Sequence, residues 1–254
     1  MWLLILVVAG KIAALAVGWS QPVLALLLWF GPDCLLAYHA FAPHAQGLLR
    51  TARRFRTSRP EVWLTIDDGP DPEDTPRILE LLATHRARAT FFVIGERAPR
   101  HPEIIRAICT AGHEIAHHTQ THPLATFWCA SPRRVARELD EALAVLRPLG
   151  VRPTRFRPPA GIKNPWLAAA LRARHMVAVG WSARGLEVRA RDPQAVADRV
   201  LGGLAPGSIL LMHEGPPVPA AIRVTAIRLV LEKLTEQGYQ CVVPGAEQLD
   251  GGKN

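Results

Sequence analysis

The sequence predicts an α/β fold in which repeated strand–helix units form an irregular seven-stranded barrel, preceded by an N-terminal transmembrane helical segment. From residue 61 onward, short apolar segments alternate with amphipathic ones, which is typical of a parallel sheet covered by helices. Before Arg50, in contrast, the only charged residues are Lys11 and Asp33. The 254 residues are 49% hydrophobic and 20% charged, which excludes an intrinsically disordered chain, and four cysteines are too few for a disulfide scaffold.

Residues 1–42 are predicted to form a membrane hairpin or two short transmembrane helices. As helices they would extend about 60 Å, enough for two crossings of a hydrocarbon core about 30 Å thick. Inside a membrane Lys11 and Asp33 would need partners, and they could neutralise each other. Two alternatives stay open. One is a cleaved signal peptide, although no basic residue precedes Leu3, and the other is a buried helix of a soluble protein.

Residues 43–60 are predicted to be a linker that carries five arginines, at positions 50, 53, 54, 56 and 59. The positive-inside rule places this cluster at the cytoplasmic face of a bacterial-type inner membrane, where it could also bind anionic lipid. A solvated linker is the alternative. The three later cysteines cannot all pair with one another, which agrees with a reducing compartment. The net charge of +8 requires no nucleic-acid partner, because the chain shows no nucleic-acid-binding motif.

Seven strands are predicted from short apolar segments in the domain of residues 61–243. In chain order they cover residues 62–66, 89–94, 113–116, 154–157, 176–181, 208–212 and 239–243. Since helices separate most of them, the strands are expected to run parallel, with the functional groups at their carboxyl ends. Residues 244–254 are predicted to be a C-terminal tail.

Six helices are predicted between these strands. They cover residues 76–85, 102–110, 132–147, 165–172, 193–204 and 219–237. Asp74 or Thr75 is expected to cap the first of them. Ser131 and Pro132 are typical of the N-cap and the first residue of a long helix.

Two adjacent carboxylates end the first strand, in the segment Thr-Ile-Asp-Asp-Gly-Pro that contains Asp67 and Asp68. Their mutual repulsion is costly unless a cation offsets it, and the Gly-Pro turn can aim both into one site. The same residues could also form an ordinary surface turn.

His118 and His122 follow the third strand and are four residues apart, so on one helical turn they would share a face. Neutral imidazoles at this spacing suit a divalent metal such as zinc. They need a third ligand, which a carboxylate from another strand end would supply. A polar turn without metal is the alternative.

Two further motifs follow the fourth and sixth strands. Arg157 precedes Pro158 and Pro159, and such a rigid turn can present a backbone amide to a developing oxyanion. His213 ends the sixth strand, where it could act as a general acid or base. Either feature could also be purely structural.

In this order the motifs resemble the polysaccharide deacetylase family, which shares the chitooligosaccharide deacetylase homology domain. The motifs are Thr-Ile-Asp-Asp-Gly-Pro, His-Thr-x-x-His-Pro, Arg-Pro-Pro and Leu-x-His, and the resemblance covers residues 61–243. It implies a distorted (β/α)7 barrel and a metal-dependent hydrolase that removes N-acetyl or O-acetyl groups from a glycan or glycolipid and releases acetate. The implied cofactor is a divalent metal, with zinc favoured, and the implied partners are an acetylated glycan or lipid-linked sugar together with membrane lipid.

The resemblance also implies roles for individual residues. Asp67 corresponds to the catalytic base, Arg157 to the residue that orients it, and His213 to the general acid. The implied metal ligands are Asp68, His118 and His122. The implied substrate and oxyanion contacts are the Ala160 amide, Leu211 and Trp181.

One motif departs from the family. Relatives usually carry an Asp after the fifth strand that partners the catalytic His, and here Arg184 stands about at that position. An arginine would oppose protonation of His213, so activity is expected to fall at a pH near or below about 6.5 unless Glu187 or Glu214 substitutes. The departure favours an alternative function, a catalytically weakened, membrane-tethered glycan-binding protein on the same fold. A hydrolase of another acylated group is a third possibility, and the sequence leaves the oligomeric state open.

Overall fold

Two apolar helices open the chain in the computed structural model, which describes residues 2–249. They are α1 (Trp2–Val17) and α2 (Pro22–Phe41), joined by a short turn. The pair is antiparallel and closely packed at Gly10, where an added Cβ would lie 2.6 Å from a backbone oxygen of α2. Lys11 Nζ lies 2.6 Å from Asp33 Oδ2, so the two charges of this segment neutralise each other. By length and composition both helices could cross a membrane, although a signal sequence would satisfy the same test.

A parallel sheet follows, with helices between its strands. The strands are β1 (Glu61–Gly69), β2 (Ala89–Val93), β3 (Glu114–His117), β4 (Arg155–Phe156), β5 (Val177–Ala178), β6 (Ala183–Arg184), β7 (Ile209–His213) and β8 (Gln240–Cys241). The helices are α3 (Asp74–Thr84), α4 (Pro102–Thr110), α5 (Pro132–Leu146), α6 (Leu167–Arg172), α7 (Pro193–Leu201) and α8 (Arg223–Glu236). The strand order is β5-β4-β3-β2-β1-β7-β6, and β8 pairs with the start of β1. Within residues 2–249 no ladder joins β5 to β6, so the predicted α/β barrel is present as a half-barrel.

The alternation of side chains along the central strands separates two layers. Leu64 and Ile66 of β1 point outward into the core beneath the helices. Asp67 points the opposite way, into the interior of the half-barrel, because successive side chains in a strand alternate between faces. In β7, Leu211 and His213 face the interior for the same reason. The parallel pairing places Asp67 beside His213, so two functional candidates meet at one carboxyl edge.

The observed strands differ from the sequence-based boundaries, since β1 extends to Gly69 and β5 keeps only Val177–Ala178 of the predicted residues 176–181. The fourth predicted strand, 154–157, retains ladder pairing only at Arg155–Phe156, because the flanking Pro153 and Pro158 carry no backbone N–H. The structure also contains a strand that the sequence did not predict, β6, which is two residues long and pairs with β7. So short a segment has no recognisable alternation in the sequence.

Three helices begin elsewhere than predicted, since α3 begins at Asp74 rather than residue 76, α6 begins at Leu167 rather than residue 165, and α8 also begins later. The cap of α3 is not Asp74 or Thr75, because Asp71 Oδ1 accepts hydrogen bonds from the backbone N–H groups of Glu73 and Asp74. Helix α8 begins at Arg223 rather than residue 219, since a separate turn precedes it.

Residues 43–60 pack against the half-barrel. Ala52 bridges to Val179 beside β5, and Phe55 bridges to Leu249, so this segment crosses the open side of the sheet. Leu49, Ala52 and Phe55 are buried, whereas the arginines at 50, 53, 54 and 56 are exposed. Part of the predicted tail also packs here, since Leu249 is buried, and the remainder of that prediction, residues 250–254, lies outside the described residues.

Candidate active site

The carboxyl ends of β1, β3, β4 and β7 converge at one edge of the half-barrel. Normal strand alternation would send Asp68 to the face opposite Asp67. The β1–β2 register instead shifts between Asp67 and Gly69, and Asp68 adopts a left-handed φ of 73°. This bulge turns both carboxylates into the same site, which is a recognised use of such irregularities.

Asp68, His118 and His122 form a compact group whose ligand atoms all lie within 4.8 Å of one another. Asp68 Oδ1 lies 3.5 Å from His118 Nε2 and 3.2 Å from His122 Nε2. The predicted helical turn is wrong, because residues 118–122 form a loop in which Thr119 and His122 have φ values of 68° and 53°.

A buried carboxylate holds that loop in place. Glu138 of α5 accepts hydrogen bonds from the backbone N–H groups of Gln120 and Thr121, at 3.0 and 2.9 Å. His117 Nδ1 accepts a third, from the N–H of Thr119, at 3.0 Å. The two imidazoles therefore converge through fixed loop geometry rather than helical spacing.

The protonation of the three side chains suits a divalent cation. His118 Nδ1 donates to the Arg157 carbonyl at 2.8 Å, which leaves the Nε2 lone pair facing the site. Burial, aided by the nearby His118, lowers the pKa of His122 to about 4, so this ring is neutral at pH 7. Burial opposes ionisation of Asp68, but the close contact and electrostatic attraction of His118, together with attraction from His122 and His213, outweigh it and hold the pKa of Asp68 below its usual range.

Asp68 Oδ1 is buried and accepts no hydrogen bond from the described residues, which leaves its lone pairs available to a cation. One carboxylate and two neutral imidazoles are a donor set that zinc prefers, with a position left open for water or substrate. The residues present therefore fit the implied metal.

Arg157 and Asp67 form a buried ion pair beside this group. Arg157 Nη1 donates to Asp67 Oδ1 at 2.6 Å and to Thr65 Oγ1 at 2.8 Å. The same guanidinium donates to the carbonyls of Val179 and Gly180, so its position is fully determined. This leaves Asp67 Oδ2 directed toward His118, at 3.7 Å from Nε2.

His213 has a carboxylate partner, and that partner is Glu187. Glu187 Oε1 lies 3.4 Å from His213 Nδ1, and the Glu187 side chain is 1% exposed. A left-handed turn at Leu186 (φ 58°) directs Glu187 inward, and a side chain at Gly185 would collide with Val196. Arg184 is exposed and lies over the Trp181 ring, so the expectation that it opposes protonation of His213 is wrong.

The Glu187 carboxylate favours the protonated form of His213, which is the opposite of the effect expected from Arg184. Burial by itself would lower the pKa of His213, but the Glu187 carboxylate 3.4 Å away outweighs it and raises that pKa to about 9. Glu214, the other candidate substitute, faces away and bonds to Thr75 Oγ1. Burial raises the pKa of Glu214 to about 8.

A cavity of about 430 Å³ opens against these groups. Ala160, Trp181, Leu211 and His213 all line it, which are the predicted substrate contacts together with the predicted acid. Ala160 is exposed on a tight turn with φ 51°. Trp181 Nε1 is buried without a hydrogen-bond acceptor among the described residues, so it is available to a ligand.

Comparison with known proteins agrees with this geometry. The model of the polysaccharide deacetylase family matches residues 55–179. A chitooligosaccharide deacetylase of Sinorhizobium fredii is 40% identical over 204 residues, which cover 75% of this chain and 93% of that protein. The chain belongs to the polysaccharide deacetylase family. A peptidoglycan-N-acetylglucosamine deacetylase of Bacillus cereus is 35% identical over 187 residues, covering 73% of this chain and 67% of that protein.

Solved structures of this deacetylase family share the fold. A peptidoglycan N-acetylglucosamine deacetylase in complex with a benzamide ligand superposes with a TM-score of 0.72 at 30% identity, covering 78% of this chain and 92% of that one. A CE4 family pseudoenzyme from Bacillus anthracis superposes with a TM-score of 0.68 at 26% identity, covering 78% of this chain and 68% of that one. The predicted family, fold and hydrolase class are thereby confirmed.

Sequence reasoning missed two residues that shape this deacetylase site. Thr65 fixes Arg157, and nothing in the sequence distinguishes it from other strand threonines. Glu138 fixes the histidine loop, and here a signal existed. It lies on the same helical face as Val135, Leu139 and Ala142, all buried, so a carboxylate at that position indicates a buried polar contact.

Proposed function

We propose that this polysaccharide deacetylase family member hydrolyses the N-acetyl group of an acetylated glycan or glycolipid and depends on a divalent metal. The observation that carries this is the single edge where three potential metal ligands, the Arg157–Asp67 ion pair and the Glu187–His213 pair meet. Its relatives are described as deacetylases of chitooligosaccharide and of peptidoglycan N-acetylglucosamine, which supports an N-acetylated amino sugar as the substrate. O-acetyl groups are the second substrate class to assay.

Each residue has a defined task in this reaction. A divalent cation held by Asp68, His118 and His122, with zinc favoured by the donor set, would supply Lewis-acid polarisation of the acetyl carbonyl and the attacking water. Asp67 accepts the proton of the water while Arg157 fixes its orientation. The Ala160 amide donates to the carbonyl oxygen as negative charge develops. His213, held protonated by Glu187, donates its proton to the leaving sugar nitrogen, so that acetate and a free amine result.

The competing function is a membrane-tethered glycan binder that has lost catalysis, and the solved structure of a pseudoenzyme with this fold is consistent with the loss of catalysis. Arg184 at the expected Asp position favoured it. The contact between Glu187 and His213 removes that argument, because a carboxylate partner is present. Acetate release from a panel of N-acetylated and O-acetylated glycans separates the two functions, and binding without release would establish the competitor.

Replacing His118 with Ala is expected to remove bound metal and activity together. The substitution deletes one of three ligands, and a two-ligand site binds zinc poorly. We expect metal content, measured by mass spectrometry of the purified protein, to fall from about one ion per chain to near zero, with acetate release reduced about 10³-fold or more.

The matched control is His85→Ala, since His85 directly follows α3 and its side chain contacts Thr235 Oγ1. Its metal content and activity should equal those of the wild type. Wild-type protein that holds no divalent metal after incubation with zinc, cobalt or nickel would contradict the metal assignment.

We further propose that α1 and α2 anchor the protein in a bacterial-type inner membrane with the catalytic domain on the cytoplasmic face. The exposed arginines after α2 support this orientation. A reporter fused after Asn254 should be active only if it functions in the cytoplasm, and activity of a periplasm-dependent reporter would reverse the orientation. The intact mass of the membrane-extracted protein distinguishes an anchor from a cleaved signal sequence, since cleavage would remove α1.

A further inference from the structure

The end of the helical hairpin packs against residues that border the active-site cavity. Helix α2 ends at Phe41, and Pro43 follows two residues later. A Cβ added at Gly161, next to the cavity residue Ala160, would lie 3.0 Å from Pro43 and 2.7 Å from the Trp181 ring. These three residues are therefore in direct packing contact. His44 extends the contact, since its ring lies edge-on to Trp181 at 6.4 Å.

Buried polar contacts fix this junction rigidly. Lys163 donates its backbone N–H to the Ala40 carbonyl at 2.8 Å, and its Nζ donates to the carbonyls of Ala42 and Pro43 at 2.8 and 2.9 Å. These are carbonyls that the end of a helix leaves without intrahelical partners. Because the Lys163 side chain is buried and satisfies them, the hairpin has one fixed orientation relative to the cavity.

The hairpin itself is covered by almost no protein. Most of its apolar side chains are exposed, and Trp19, at the turn farthest from the catalytic domain, is 98% exposed. Helix α2 has 20 residues and is therefore about 30 Å long, which matches a hydrocarbon core. If the hairpin is in a bilayer, the contact between Pro43 and Gly161, next to the cavity residue Ala160, lies where the bilayer ends.

The rim of the cavity combines positive charge with exposed apolar side chains. Arg184 and Arg189 line the cavity and are exposed. Leu186 and Val188, between them in the chain, are 46% and 55% exposed. Burial lowers the pKa of His44, and Arg53, Arg184 and Lys163 lower it further, which shows that positive potential extends to the junction.

A neutral soluble oligosaccharide would contact neither the arginines nor the exposed apolar side chains at the rim through complementary groups of its own. Two arginines at a cavity rim are suited to phosphate oxygens, which they can bind through charge-assisted hydrogen bonds. Exposed leucine and valine beside them are suited to a hydrocarbon chain. A sugar attached through phosphate to a membrane lipid presents both groups, and presents them at the surface where this cavity opens.

We propose that the substrate is an N-acetylated amino sugar joined through phosphate to a lipid of the membrane that holds the hairpin, with Arg184 and Arg189 contacting the phosphate. This inference rests on the proposed deacetylation and specifies its substrate class. When the lipid-linked substrate and the enzyme share one membrane, the effective substrate concentration at the enzyme rises. The preference for this substrate is therefore expected mainly as a lower KM.

The experiment measures acetate release by the full chain reconstituted in phospholipid vesicles. Four substrates are compared: N-acetylglucosaminyl phosphate esterified to an isoprenoid alcohol, N-acetylglucosamine 1-phosphate, an alkyl glycoside of N-acetylglucosamine, and tetra-N-acetylchitotetraose. We expect kcat/KM for the first to exceed that for each of the others by about 100-fold. Arg184→Gln together with Arg189→Gln should raise KM for the first substrate about tenfold and raise KM for chitotetraose much less, because chitotetraose has no phosphate. Arg77→Gln, on the exposed surface of α3, is the matched control.

Each result has a distinct meaning. If the sugar phosphate without lipid is turned over as fast as the lipid-linked substrate, the proposed recognition of the lipid is wrong. If the alkyl glycoside is turned over as fast, the proposed recognition of the phosphate is wrong. Preferred turnover of chitotetraose would overturn the inference and leave the proposed deacetylation intact. Absence of acetate from all four, with metal bound, would overturn both. An unchanged KM in the double arginine variant would show that the rim does not bind the phosphate.

Discussion

Replacing Asp67 with Asn is expected to lower kcat/KM for deacetylation about 10³-fold while leaving the bound metal in place. Asparagine has nearly the shape of aspartate and can still accept the hydrogen bond from Arg157, but it cannot take a proton from water. Loss of a positioned general base costs about 10²–10⁴ in rate. Metal retention follows because Asp67 lies outside the group formed by Asp68 and the two imidazoles. This combination distinguishes Asp67 from a metal ligand, since His118→Ala is expected to lose both properties.

Stability provides a second measurement on the same variant. Asp67 and Arg157 are 4% and 0% exposed, so the substitution leaves a buried guanidinium without its counter-charge. Breaking a buried ion pair in this way costs up to about 3–5 kcal/mol, and the melting temperature of Asp67→Asn should fall. Asp140→Asn is the matched control, because Asp140 pairs with Arg174 at the surface. It should change the free energy of unfolding by less than about 1 kcal/mol and leave activity unchanged. An Asp67→Asn enzyme that is folded, metal-bound and fully active would exclude the role of Asp67 as base.

The features of this protein that depend on periodicity and chain order could be predicted from its sequence. Alternation of apolar strands with amphipathic helices gave the parallel fold, because each element must bury one face. The alternation of side chains within each strand places Asp67 and His213 on the inner face of neighbouring strands. The Lys11–Asp33 ion pair was also foreseeable, since two opposite charges in an apolar hairpin have few other partners.

The features that depend on local irregularity could not be predicted. Asp68 joins the site only through a bulge, and His122 joins it only through a loop with left-handed residues. Neither conformation is encoded by a turn motif that a single sequence makes recognisable. Glu187 is an intermediate case, because the sequence offered Glu187 and Glu214 as possible partners of His213. Only the left-handed turn at Leu186, which directs Glu187 to 3.4 Å from His213, decides between them.

Replacing Glu187 with Gln is expected to move the alkaline limb of the pH–rate profile down by about two pH units or more. His213 must be protonated to donate to the leaving nitrogen, so activity falls as pH rises through the His213 pKa, which is about 9 with Glu187 present. Without that carboxylate, burial favours the neutral ring and only the charges of Asp67 and Asp68 oppose it, so the His213 pKa is expected to fall toward the ordinary value of about 6.5. The protonated fraction at pH 8 would then fall roughly 30-fold, and activity at pH 8 should fall by the same factor.

The variant Glu187→Asp tests whether a carboxylate alone is sufficient. Its shorter side chain holds the charge farther from His213 Nδ1 than the present 3.4 Å, so the alkaline limb should lie between those of the wild type and Glu187→Gln. Glu236→Gln, at the exposed end of α8, controls for the loss of one negative charge and should leave the limb in place. The measurement is kcat/KM for acetate release between pH 5 and 10 on metal-loaded enzyme. Coincident limbs for the wild type and Glu187→Gln would show that Glu187 does not set the proton affinity of His213. The catalytic acid would then have to be sought in another group at this edge of the sheet.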